Sequence, residues 1–228
     1  MQIQEVKTRH NMKRNKIQCD LESCFFCTNS LTAWLPAIEQ VRKTYKFNKG
    51  EILFEEGKPV NGIYFVNSGI VKVHKKWGDE KELILRFATN GEIVGHRGIG
   101  TESIFPVSGT AITDVTACFI EIDFFFSSLR VNTDMLYKLM MFFAAELQES
   151  EKKMRDLVNL SVKERVIKSL HFLERKFGKT EEGYININIS KQDLASFVGT
   201  TYETYFRMMN ELSAEGTIST SGKQIKLG

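Results

Sequence analysis

The sequence predicts an α+β fold: an N-terminal antiparallel β-roll, one long helix, and a C-terminal winged helix-turn-helix. Three observations predict it. Short β-prone runs cut by glycine fill residues 45–123. An apolar heptad follows from residue 136. The last forty residues hold a helix–glycine–helix spacing and then a glycine-turned hairpin.

Composition permits this. The chain has 228 residues, 42% of them hydrophobic and only three of them proline, so it can bury cores and has little room for long disorder. No apolar run reaches the roughly eighteen residues a membrane span needs. The first sixteen residues hold Lys7, Arg9, Lys13, Arg14 and Lys16 against one acid, Glu5. No apolar h-region follows them, so they read as a solvated tail rather than a signal peptide, and a cytoplasmic protein is expected. A net charge of +3 neither requires nor excludes nucleic acid. In a cytosolic chain Cys19, Cys24, Cys27 and Cys118 are expected as thiols, metal ligands or cluster ligands, not disulfides.

The roll is read from Lys49-Gly50-Glu51-Ile52-Leu53-Phe54, Asn61 to Val66, Asn67 to Val73, Leu83 to Phe87, and Asn90 to Gly95. Gly and Asn between the runs supply the positive φ of tight turns, including one at Gly78-Asp79, and a strand from Asp114 to Ile122 closes the roll.

After Asp123 the period changes. Leu136, Met140, Phe143, Leu147, Ser150, Met154 and Leu157 recur at alternating spacings of four and three, a seam with one polar break at Ser150. The first turns, around Tyr137 and Phe142, are expected to pack on their own domain. Charged residues flank the later seam, so a partner helix is expected there, in a parallel homodimer.

The C-terminal part begins with an amphipathic helix over 162–177 and a short alternating strand, Tyr184 to Ile189. Ser190-Lys-Gln-Asp193 resembles a capping box with aspartate in place of glutamate. Ala195 allows a tight helix crossing, Gly199 a turn, and Thr200 or Thr201 a cap for the next helix. There Tyr205, Met208 or Met209, and Leu212 form the buried stripe. Thr201, Tyr202, Glu203, Phe206 and Arg207, with Lys191, become the candidate DNA contacts. Arginine suits the guanine O6/N7 edge and glutamate accepts from cytosine N4, although Glu203 and Arg207 also have the spacing of a surface ion pair. Lys223 at the wing tip and Lys226 beside it suit phosphate contact.

Together these pieces resemble the CRP/FNR family of bacterial transcription regulators from about residue 31 onward. The resemblance rests on KGEILFEEG, NGIYFVNSGIVKV, GEIVG, SGTAITDV, the heptad helix and DLASFVGTTYETYFRMMNEL. It implies a cupin-like, cyclic-nucleotide-binding-like β-roll, a dimerising helix, and a winged helix on a pseudo-palindromic site of double-stranded DNA, acting with RNA polymerase. The implied domains are a basic, Cys-containing segment (1–30), the roll (31–128), the dimerisation helix (129–160) and the winged helix-turn-helix (161–228). Where the family's recognition helix commonly carries E-T-x-S-R, this chain has Phe206 in place of the serine or glycine.

The resemblance also implies an effector pocket at Gly95, His96, Arg97, Val107, Ser108 and Ser150. Its departures disfavour cyclic AMP: Gly95-His96 replaces the expected Gly-Glu, and Val107-Ser108 the Arg-Ser pair that holds the phosphate, removing its charge partner. The cofactor is therefore left open between none and a [4Fe-4S] cluster on Cys19, Cys24, Cys27 and Cys118, as in the oxygen- or redox-sensing branch. Two rivals stay open: a cyclic-nucleotide-binding signalling module without a DNA role, and a regulator whose roll is only a scaffold. An enzyme is not expected, since His10, His74, His96 and His171 are scattered and no HExxH, GxSxG or P-loop occurs.

Overall fold

The computed structural model describes residues 22–77 and 81–228. Cys19, the basic N-terminal run and the Gly78-Asp79 turn lie outside the described residues. Two short helices, α1 (Phe25–Thr28) and α2 (Leu35–Val41), lead into the roll. Its strands are β1 (Lys43–Phe47), β2 (Ile52–Phe54), β3 (Gly62–Ser68), β4 (Val71–Trp77), β5 (Lys81–Ala88), β6 (Ile93–Val94), β7 (Ser108–Ala111) and β8 (Val115–Glu121). They form two four-stranded antiparallel sheets, ordered β1-β8-β3-β6 and β2-β7-β4-β5.

The period-two alternation of strands decides what each face meets. Tyr64 pairs with Phe119 and Phe65 with Cys118 across β3 and β8. Tyr64 stacks on Phe54 of the other sheet, inside the roll. Phe65 points the opposite way, onto Phe26 of α1 and Phe125 of α3 (Ile122–Val131). Residues 24–27, expected in a separate basic segment, are therefore part of the roll's core. Cys24, Phe26 and Cys27 are all buried there. The sequence reading missed this because α1 is a single turn, too short to show a period.

The long helix α4 (Thr133–Asn159) is a separate element from α3. Asn132 breaks the chain between them, and its side chain caps α4 by accepting from Met135 N at 3.0 Å. Met135 and Leu139 are buried and Phe142 packs on the roll, whereas Tyr137, expected inside, is 58% exposed.

The C-terminal part comprises α5 (Val162–Phe177), α6 (Lys191–Val198), α7 (Tyr202–Ala214) and the hairpin β9 (Ile218–Ser221) and β10 (Gln224–Leu227). Ser161 and Glu164 form a capping box at α5. The strand expected over 184–189 is not one. Only Ile185 makes a bridge, to Lys179, because Ile185 and Ile189 are drawn into the domain core instead of a ladder. That core also takes in Ile84, Phe87 and Ile112 of the roll, so the two parts share buried apolar surface.

Candidate nucleic-acid interface and effector region

The helix pair α6–α7 presents the first site. Gly199 ends α6 in the left-handed region at φ 75°, and a Cβ there would stand 2.7 Å from Leu157 of α4. The left-handed φ is what calls for glycine at this turn, since the Leu157 side-chain tip could move aside. Arg165 of α5 fixes the same corner, donating to the carbonyls of Leu160, Val198 and Gly199 at 2.9–3.3 Å. Thr201 caps α7, accepting from Thr204 N at 3.3 Å.

Tyr205, Met209 and Leu212 bury one side of α7, which leaves Glu203, Arg207 and Asn210 exposed on the other. Tyr202 and Phe206 lie beside them, ring over ring, with centroids 6.2 Å apart and planes 17° from parallel. Lys191 of α6 places its ammonium 5.2 Å from the centre of the Phe206 ring. Lys223 sits at the hairpin tip between β9 and β10, exposed, and Lys226 is exposed on β10, donating to Glu182 O at 3.1 Å. Lys191 and Lys223 line one cleft with Tyr205, Met209 and Asn210 of α7, whereas the Lys226 ammonium lies at the 182–183 turn.

Asp193 behaves differently from the expected capping box. Ser190 accepts from Asp193 N at 3.0 Å, but the carboxylate takes the Ser190 hydroxyl at 2.6 Å and Lys72 at 2.7 Å. One methylene shorter than glutamate, it serves the hydroxyl instead of the N-cap amide. Lys72 belongs to β4, so this ion pair ties the helix-turn-helix to the roll. Lys72 also meets Glu82 of β5, which His74 approaches at 2.9 Å. Burial would raise the Glu82 carboxyl, but the nearby His74 and the Lys72 ammonium outweigh it and hold it at about 2. A second tie runs from Glu92 to Lys176 of α5 at 2.5 Å, and Phe87 packs on Phe197 at 5.0 Å. Sequence reasoning missed both ties, since nothing in local spacing announces a partner about eighty to 120 residues away.

The second site lies between the roll and α4. His96 is 2% exposed, flanked edge-on by Phe142 and Phe143. Phe143, expected in the dimer seam, thus turns toward its own roll. Glu146 of α4 reaches in among Arg86 at 2.9 Å, Arg97 at 2.8 Å and, at 3.6 Å, His96. Burial alone would raise the Glu146 carboxyl; His96 and the two guanidiniums overcome that and hold it well below the ordinary carboxylate range. Burial pushes the His96 imidazole down. Ser150 spends its hydroxyl on Glu146 O at 2.8 Å, and Ser108 accepts from Glu56 N at 3.0 Å. Val107 is buried, and Gly95 carries a left-handed φ of 84°. His96, Arg97 and Ser150 converge on Glu146, whereas Ser108 is engaged with Glu56. A cavity of about 650 Å³, lined by Tyr45, Phe54, Tyr64, Phe105 and Phe119 with Lys58 among its polar residues, contains none of the six expected effector residues.

The three described cysteines lie buried in the roll core. Arg42 donates toward Cys118 Sγ at 4.0 Å, and Arg42 and Cys27 line one cavity of about 300 Å³. Among the described residues no three His, Cys, Asp or Glu side chains gather closely enough to hold a single metal ion. No helix among them is long and apolar enough to cross a membrane.

Known proteins share this architecture. Residues 44–132 match the model of the cyclic nucleotide-binding domain, and residues 164–227 that of the Crp-like helix-turn-helix domain. The chain is 28% identical over 193 residues to the anaerobic regulatory protein of Bacillus subtilis, covering 82% of this chain and 81% of that one. It is 25% identical to the CRP-like cAMP-activated global transcriptional regulator of Mycobacterium tuberculosis, over 84% of this chain and 86% of that one. Among solved structures, the c-di-GMP responsive global regulator CLP of Xanthomonas campestris has a TM-score of 0.76 at 24% identity. That match covers 86% of this chain and 99% of the other, and is a likeness of fold.

Proposed function

Because the chain belongs to the CRP/FNR family, and is therefore a DNA-binding transcription regulator rather than an enzyme, we propose that it acts as a parallel homodimer on a pseudo-palindromic DNA site. The observation that carries this reading is the exposed face of α7, with Glu203 and Arg207 one turn apart and lysines on either side. Glu203 and Arg207 read base edges; Lys191, Lys223, Lys226 and the Thr201 end of the helix hold phosphates. The dimer forms along Leu136, Met140, Leu147, Met154 and Leu157, all at least 40% exposed in the single chain. In this reading the dimer works in the cytoplasm and recruits RNA polymerase. Selection of sites from a randomised duplex pool, followed by binding across a salt series, tests it. The expected result is one enriched inverted repeat, with affinity falling steeply as salt rises. No enrichment over bulk DNA would overturn it.

The roll senses the effector and α4 transmits the change. Cyclic AMP is disfavoured: Val107 stands where the phosphate arginine is expected, and Arg86 and Arg97 already face Glu146. Glu146 makes from within the chain the bridge between roll and helix that a bound anion would supply. Cyclic AMP at millimolar concentration is expected to leave the melting temperature unchanged; a clear rise would reverse this assignment.

A second reading, redox sensing, is favoured by the burial of Cys24, Cys27 and Cys118 in one core, and the Bacillus subtilis relative is named for anaerobic regulation. The donor set fits a [4Fe-4S] cluster better than zinc, because each cysteine ligates a different iron and the thiols need not meet at one point. Cys19, Cys24, Cys27 and Cys118 would hold it, and the cluster would supply an oxygen-labile redox centre. Protein purified without air should then be brown, with matched iron and sulfide. A colourless, iron-free protein removes this reading and leaves the first intact.

A further inference from the structure

The aromatic pair on the DNA-facing end of α7 has a chemistry that the Glu203 and Arg207 contacts do not use. Tyr202 and Phe206 are 39% and 41% exposed, although rings of this size are ordinarily buried. They are stacked on each other, and Phe206 is held from behind by the Lys191 ammonium. The pair is thus a pre-set apolar slab beside two polar, base-reading side chains. In the major groove the one strongly apolar feature of a base edge is the C5-methyl group of thymine, and phenylalanine is among the side chains that contact it. Phosphates offer such a ring nothing, and water penalises it.

We propose that Phe206, supported by Tyr202 and Lys191, reads thymine methyl groups in each half-site, making this chain selective for thymine next to the base pairs read by Glu203 and Arg207. The inference rests on the recognition-helix reading above. Fully burying one methyl group corresponds to up to about a four-fold change in affinity.

The test uses the full chain and its selected duplex, with each thymine in turn replaced by deoxyuridine, which lacks only the methyl group. The wild-type protein should lose up to about four-fold in affinity at one or more positions per half-site. In Phe206→Ser the thymine-to-uracil ratio at those positions should fall to about one. A wild-type protein indifferent to uracil at every position overturns the proposal while leaving DNA recognition by α7 standing. Sensitivity that persists in Phe206→Ser also overturns it, by assigning the methyl contact elsewhere. If no sequence is enriched in the selection, the recognition-helix reading fails first, and the methyl readout fails with it.

Discussion

Glu146 is the residue on which the joint between roll and long helix turns. Arg86 and Arg97 are mostly buried and both face its carboxylate. Removing the charge leaves Arg97 without its partner, while Arg86 keeps Glu92 at 2.7 Å, so one partly solvated cation is orphaned. Glu146→Gln is expected to lower unfolding stability by about 2 kcal/mol in urea titration, since one partly solvated cation loses its partner. A loss below about 0.5 kcal/mol would mean that the pair is exposed to solvent and worth what a surface ion pair is worth. None of this was legible in the sequence. The residues around Gly95 and Ser150 were picked out by resemblance, but their partner, Glu146, reads locally as one more charge on a solvated face. At the DNA site the reverse holds. Arg207 and Glu203 declare themselves because helix period and cap fix which way they point. Arg207→Ala should lose roughly 1–3 kcal/mol of base discrimination per half-site, read by competition with single-base variants. Lys223→Ala should weaken every duplex alike and reduce the salt dependence by about one ion.

Among the elements, α4 changes character along its length. Its first half is built into the roll through Met135, Leu139 and Phe142, and its second half carries Leu147 and Met154, each about 60% exposed. Apolar residues at heptad spacing on a charged helix require a second helix to cover them. Leu147→Glu should convert the protein to monomers in sedimentation; a persistent dimer would place the partner surface elsewhere. The heptad was plain in the sequence, but the inward turn of Phe143 and the outward turn of Tyr137 were not, because both depend on where the roll lies. Lys153, further along the same helix, donates to Leu85 O at 2.5 Å with its ammonium 4.2 Å from the Phe197 ring centre. Burial lowers its pKa from 10.5 to about 8. The folded state thus penalises the charged form below pH 8, and the unfolded chain holds the proton up to 10.5. Between these values the unfolded state binds more protons, so stability should rise with pH. Lys153→Met should flatten that rise in denaturation midpoints taken from pH 7.5 to 10.5. An unchanged slope would show that Lys153 titrates normally.

As a whole, the molecule is two cores joined by one helix and a set of specific ties. Phe87 on Phe197, Lys72 with Asp193, and Glu92 with Lys176 hold the helix-turn-helix against the roll in this arrangement. The roll and the helix-turn-helix are thus connected through the β4–β5 hairpin as well as through α4. The order of roll, helix and winged helix was readable because each part has its own period and its own turn residues. The way they seat on each other was not, because those contacts join residues distant in sequence whose types are common on any surface. A dimer reading two half-sites with α7 has a definite stoichiometry on DNA. The most direct measurement is light scattering of the purified complex on a selected full-site duplex, beside a duplex carrying one half-site. Two chains per full-site duplex are expected, with binding to the single half-site much weaker and Arg207→Ala losing the difference between selected and scrambled DNA. One chain per duplex, with equal affinity for full and half sites, would rule out a dimer on two half-sites.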